Sequence, residues 1–217
     1  MDFGGEYETI FIPVLSGTSI AIDNDELFPE EPQLTEVTFL RYPEVSSLDE
    51  RVNRLVQGIQ SDIPPEYDHY GYEIRRYMSS VGNVKVYSDE DFLKEQIRNV
   101  RKAGVIAKYW IAHLQQEIKD IEQIMESDED VGFAERTAFR QNKAIIQKFT
   151  LILQTWISGN EDLLMLVAGN YGIFFVEYPD VIVYSAKQRR EFFNLYITKQ
   201  TKLKELVAYP AFAFMVY

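Results

Sequence analysis

The feature that most restricts the fold is an apolar rhythm running unbroken from residue 93 to residue 125. Leu93, Ile97, Val100, Gly104, Ala107, Ile111, Leu114, Ile118, Ile121 and Met125 follow one another at steps of 4, 3, 4, 3. Only an α-helix returns side chains to one face at that spacing, and nearly five heptads of it form a seam for lengthwise packing on a second helix. Ser88 reads as the N-cap, with Asp89, Glu90 and Asp91 suited to the positive end of the helix dipole. The stretch Ser127–Asp130 ends the run.

A second helix is expected from about Phe133 to Ser158, with Ala138, Asn142, Ile145, Phe149, Ile152 and Trp156 in the same rhythm and Gly159 as its C′ residue. Folded back as a long antiparallel helical hairpin, about 89–126 against 133–158, the pair would set Gly104 opposite Trp156 and Ala107 opposite Ile152, small against large. Charge supports the same arrangement. The first helix ends acidic (Glu117, Asp120, Glu122, Glu126) and the second begins basic (Arg136, Arg140, Lys143). The acidic end opposes its own helix dipole unless a partner supplies cations.

Elsewhere the signals are shorter. Ser47-Leu48-Asp49-Glu50 is a capping box, followed by Leu48, Val52, Leu55, Ile59 and Ile63 on one helical face and stopped by Pro64-Pro65. Before it, Thr9–Val14, Ser19–Ile22 and Glu36–Leu40 read as short strands around the acidic loop Asp23–Pro32. After the helix pair, Asn160-Glu161-Asp162 would cap a short helix to Ala168. Ile173–Tyr178 and Val181–Tyr184 would flank a turn at Pro179-Asp180. A last helix, capped by Ser185, would bury Phe192, Phe193, Tyr196, Ile197, Leu203 and Val207. Residues 210–217 read as a strand joining that sheet or serving a neighbouring subunit. The interface candidates are therefore Phe212, Phe214, Val216 and Tyr217.

The fold class is thus α+β and mostly helical, with small β elements in the N-terminal and C-terminal parts. Charge divides the chain at nearly the same place as structure does. Residues 1–90 hold 18 Asp/Glu against 6 Lys/Arg, which is the whole net charge of −12, while the remainder holds 16 of each. We expect an acidic, irregular part over 1–87 and a helical part over 88–217, integrated as one domain. Nucleic acid is not expected as a partner, because phosphates need Lys and Arg. The basic residues of the last helix (Lys187, Arg189, Arg190, Lys199, Lys202, Lys204) are expected to face the chain's own acidic first part. No apolar run approaches the roughly 20 residues of a membrane span. The N-terminus lacks the pattern of a signal peptide, so the cytoplasm is the default location.

Chemistry has few places to reside. The chain has no cysteine, no Gly-x-Ser-x-Gly and no phosphate-binding loop, so no catalytic residue, metal site or cofactor is assigned. His113 and Glu117 share a helical face with Asp120, within the stripe Ile106, Trp110, His113, Glu117, Asp120, Ile124. That stripe is better suited to packing against the rest of the chain than to holding a metal. The segment Tyr67–Tyr77 packs four tyrosines, His69, Asp68, Glu73 and two arginines into eleven residues. Tyr67, His69, Tyr72, Glu73 and Arg76, with His113 and Glu117, form the binding candidates. Two functions are expected of such a chain. The first is non-enzymatic protein–protein interaction or assembly, as a scaffold or adaptor that meets a protein partner or itself. The second is small-molecule binding or catalysis in a pocket between the N-terminal part and the helical hairpin.

Overall fold

The computed structural model describes residues 47–60, 65–128, 130–177, 180–213 and 215. Among them are five α-helices and one two-stranded antiparallel sheet. The helices are α1 (Leu48–Gln60), α2 (Pro65–Met78), α3 (Glu90–Ser127), α4 (Phe133–Ala168) and α5 (Ala186–Leu206), and the strands are β1 (Phe174–Glu177) and β2 (Asp180–Val183). The strands and acidic loop expected before residue 41 lie outside the described residues.

The start of α1 follows its sequence signal, since the Glu50 amide donates to Ser47 Oγ at 3.3 Å. Val52, Leu55 and Ile59 are buried, as the 3.6-residue period requires. α1 stops at Gln60, and Pro65 opens α2 at the first helical position, where its missing N–H costs nothing. A 3-10 turn at Val84–Tyr87 follows, and Ser88 closes it by donating its amide to Lys85 O at 3.0 Å. The cap of α3 is therefore Asp89, whose carboxylate accepts from the Phe92 amide at 2.9 Å, and not Ser88.

α3 is 38 residues long and α4 is 36, each roughly 55 Å at 1.5 Å per residue. Every residue of the expected seam on α3 except Gly104 is buried. The two helices meet at Lys143–Glu122 (2.6 Å) near their connection, at Trp110–Phe149 (ring centroids 5.2 Å) midway, and at Arg101–Glu161 (2.8 Å) far from it. A Cβ on Gly104 would lie 3.6 Å from Ile157 Cγ2, so Gly104 faces the residue after Trp156.

The break expected at Gly159 does not occur. α4 continues to Ala168 and is capped by Gly169, whose amide donates to Met165 O at 2.9 Å. Tertiary contact overrides the local stop-and-start signal in two ways. Gly159 is buried against α5, where its Cβ position lies 3.8 Å from Lys199 Cβ. Asn160 does not cap a new helix but is buried, and its side-chain amide donates to Trp156 O one turn back at 2.8 Å.

β1 and β2 pair with Phe174 opposite Val183 and Phe175 opposite Ile182. Alternation puts Phe174 and Val183 inside and Phe175 outside. α5 then buries a narrower face than its pattern suggested. Phe192, Lys199 and Leu206, seven residues apart, are its buried residues, whereas Phe193 and Ile197 are 50% and 59% exposed. The end of the chain is also different. Pro210–Phe212 is a 3-10 turn, and among the described residues the sheet has two strands, without a third from this region. Phe212 is 0% exposed, with its ring 6.4 Å from Trp110, 6.2 Å from Phe149 and 6.2 Å from Trp156. Arg75 Nη1 donates to the Ala211 carbonyl, and this turn packs on α2, a Cβ at Gly71 lying 3.6 Å from Ala211 Cβ. One cluster of buried apolar residues runs from Val52 to Phe212.

Candidate functional site

The segment dense in tyrosine and charge is a helix, and the helical period disperses it. Tyr70, Ile74 and Met78 turn inward, with the Tyr70 ring stacked on Trp110 of α3 at 6.0 Å and an interplanar angle of 10°. His69, Tyr72 and Arg76 are exposed on the other side, Tyr72 by 55%. Arg76 pairs within α2 with Glu73 at 3.3 Å, and it also lies 5.5 Å from the Tyr77 ring centroid. Lys102 of α3 lies at the same distance from that ring. The backbone of Tyr67 belongs to α2, but its side chain lies outside the described ones.

On α3, Ile106 and Trp110 are buried, and His113, Glu117 and Asp120 are half-buried. Arg51 of α1 reaches across to this stripe, 3.2 Å from Glu117 and 3.8 Å from Asp120. The stripe therefore carries an ion-pair clamp between α1 and α3. Burial holds the His113 imidazole below its ordinary pKa, and the Glu117 carboxylate one turn on pulls it partly back. His113 is thus a largely neutral base at pH 7 beside a carboxylate that an arginine already engages. Glu73 and Arg76 pair with each other within α2, and Glu117 pairs with Arg51 of α1. No three His, Asp or Glu residues among the described ones stand close enough to hold a metal ion.

Of the C-terminal candidates, Phe212 is interior, and Phe214, Val216 and Tyr217 lie outside the described residues. Among the described residues, none of the candidates lines a groove of about 450 Å3 bordered by Gln60, Lys148, Ile152, Glu205, Ala208 and Tyr209. This groove lies where the end of α1, the middle of α4 and the end of α5 converge.

Two further features escaped the reading of the sequence. Phe175 and Tyr184 form an edge-on ring pair at 5.0 Å on the outer face of the sheet, 51% and 53% exposed. Strand alternation around Phe174 and Val183 would have found them. Lys199 is buried with its amine 5.4 Å from the Tyr196 ring centroid, and burial lowers its pKa to about 8. A lysine at a heptad-like position of α5 reads as solvated, so only the approach of Gly159 reveals it. Among the described residues no helix is long and apolar enough to cross a membrane. Compared with known protein families, curated proteins and solved structures, the chain matches none.

Proposed function

We propose that this chain works through protein contacts, as a non-enzymatic interaction or assembly protein. The observation that carries this reading is the Phe175–Tyr184 pair, two aromatic rings half in solvent on the outer face of a sheet whose inner face already packs on the core. Tyr is enriched in binding hot spots because a large apolar body ends in a polar tip. In this reading α3 and α4 form an antiparallel helical hairpin that serves as the rigid frame, with residues 1–87 and 88–217 integrated on it as one domain. The contacts from Lys143–Glu122 to Arg101–Glu161 support that frame. The Glu117 carboxylate is already engaged by Arg51, which supports the same reading.

A photo-crosslinking amino acid placed at Phe175 or Tyr184 in the producing cell tests the proposal, with Leu151 of α4, 64% exposed, as the control position. Discrete covalent protein adducts at 175 and 184, fewer at 151, are the expected result. Absence of adducts at both sheet positions overturns it. The groove bordered by Ile152 and Tyr209 favours a second reading, binding of a small organic molecule. Native mass spectrometry decides for that reading if a retained small mass is lost in Ala208→Trp.

A further inference from the structure

The groove where α1, α4 and α5 converge has a lining that selects a ligand class. Ile152, which is buried, and Ala208 supply its apolar surface, together with the Tyr209 ring, set edge-on to Phe149 at 5.1 Å. Gln60 reaches it from the last position of α1. Lys148 and Ile152 line it from successive turns of α4, about 6 Å apart along the axis. Beyond α5 the chain stays tightly turned, the Tyr209 amide donating to Leu206 O at 3.0 Å, and so Ala208 and Tyr209 join Glu205 at the same opening. At about 450 Å3 the space is within the range of small-molecule sites.

The polar groups of this lining favour one charge. Glu205 is matched by Lys202 at 2.8 Å, so its carboxylate is already engaged. Lys148 is exposed at the groove and adds a second cation to that pair. Two cations against one anion leave a local charge that an anionic group would balance. Hydrogen bonding agrees. The Lys148 ammonium has donors alone, and the Gln60 carboxamide and the Tyr209 hydroxyl can each donate. Burial, with the Glu205 carboxylate nearby, holds the Tyr209 hydroxyl above its ordinary pKa, so it keeps its proton at pH 7. One ammonium balances one negative charge, as a carboxylate carries. A phosphate ester, with nearly two, calls for a denser set of cations.

We infer that this groove binds a small monocarboxylate with an apolar body, the carboxylate accepting from Lys148 and the body lying on Ile152 and Ala208. The inference rests on the second reading above, that the groove takes a small organic molecule, and adds the ligand's charge and class. It is separate from the Phe175–Tyr184 pair, so protein contact there stands or falls by its own test.

Methyl NMR of the full chain, titrated with octanoate below its micellar concentration, tests it. The Ile152 and Ala208 methyl signals should shift, while Ile182, paired with Phe175 in the sheet, serves as the reference. Lys148→Gln should raise the dissociation constant about fivefold. That is less than the roughly tenfold or greater loss at a buried charge-assisted hydrogen bond, because Lys148 is exposed. Octan-1-ol, with the same body and no charge, should bind the unsubstituted chain about fivefold more weakly than octanoate, and its affinity should not change in Lys148→Gln. Octan-1-ol or octylamine shifting the same signals as tightly as octanoate overturns the carboxylate and leaves the groove a small-molecule site. An octanoate affinity unchanged in Lys148→Gln overturns the inference as well. No shift with any of the three ligands overturns the groove reading together with it.

Discussion

Replacing Phe212 by alanine should destabilise the fold by about 3–5 kcal/mol, the usual cost of deleting a fully buried aromatic ring. The magnitude follows from the surroundings. An aromatic side chain buries roughly 150 Å2 or more, worth about 4 kcal/mol at 25 cal/mol per Å2, of which alanine keeps a minor share. Phe212 is 0% exposed and within 6.4 Å of three other rings, so the deletion also removes ring–ring contacts and leaves a cavity among large, rigid groups. One process limits the loss. Phe212 lies close to the chain end, in a turn anchored by Arg75 on the Ala211 carbonyl, and this turn can lift off before the helices separate. Urea unfolding followed by far-ultraviolet circular dichroism measures the global cost, and hydrogen exchange at 209–213 measures the local one. The mass of the protein by light scattering should not change. A loss below about 1 kcal/mol, with a changed mass, would refute an interior role and return Phe212 to an interface.

Three other substitutions probe distinct parts of the argument. Lys199→Met should stabilise the chain at pH 7 by about 2 kcal/mol, because the fall of the amine pKa from 10.5 to about 8 is worth about 3 and the Tyr196 ring returns about 1. Between pH 8 and 10.5 the unfolded wild-type chain binds the extra proton, so wild-type stability rises and the gap to Lys199→Met closes. A gap that widens over that range contradicts the burial assignment. Gly159→Ala should stabilise by about 0.5–1 kcal/mol, since its Cβ would meet Lys199 Cβ at an ordinary 3.8 Å and alanine favours a helix interior; destabilisation in thermal melts would restore the break at residue 159. Glu117→Gln should lower the His113 pKa further in an NMR titration, because it removes the charge that offsets burial, whereas an unchanged or raised value would dissociate the two groups.

Repetition made the long helices legible. The 4-3-4-3 spacing over Leu93–Met125 has no strand or loop equivalent, and the stripe through Ile106 and Trp110 shows a second buried face on the same helix. Ser158-Gly159-Asn160-Glu161-Asp162 misleads because a helix end is a local pattern, while what continues α4 is the packing of Lys199 on Gly159 forty residues later. On α5 the apolar residues outnumber the positions that pack. The choice of Phe192 over Phe193 and Ile197 depends on where α4 and the sheet lie, which spacing along one helix does not encode. The sequence of α2 shows only an aromatic cluster, because Gly71 and its tyrosines are weak helix formers. Once the helix is in place, the period alone explains why Tyr70 is a core residue and Tyr72 a surface one. The binding candidates have residue types in common, and the fold sorts them by face. Arg51, which binds Glu117 across 66 positions of sequence, carried no signal at all.

The seating of Phe212 against Trp110 and Trp156 has an optical consequence. These are the chain's two tryptophans, both are buried, and both have the same phenylalanine as a neighbour. The emission of the protein is therefore a gauge of its own C-terminal end. With the turn at 210–212 in place, the indoles fluoresce from an apolar enclosure. When it lifts, water reaches both and the spectrum moves to the red before the helices have melted. A single cuvette, without a label, distinguishes an end that has come loose from a protein that has unfolded.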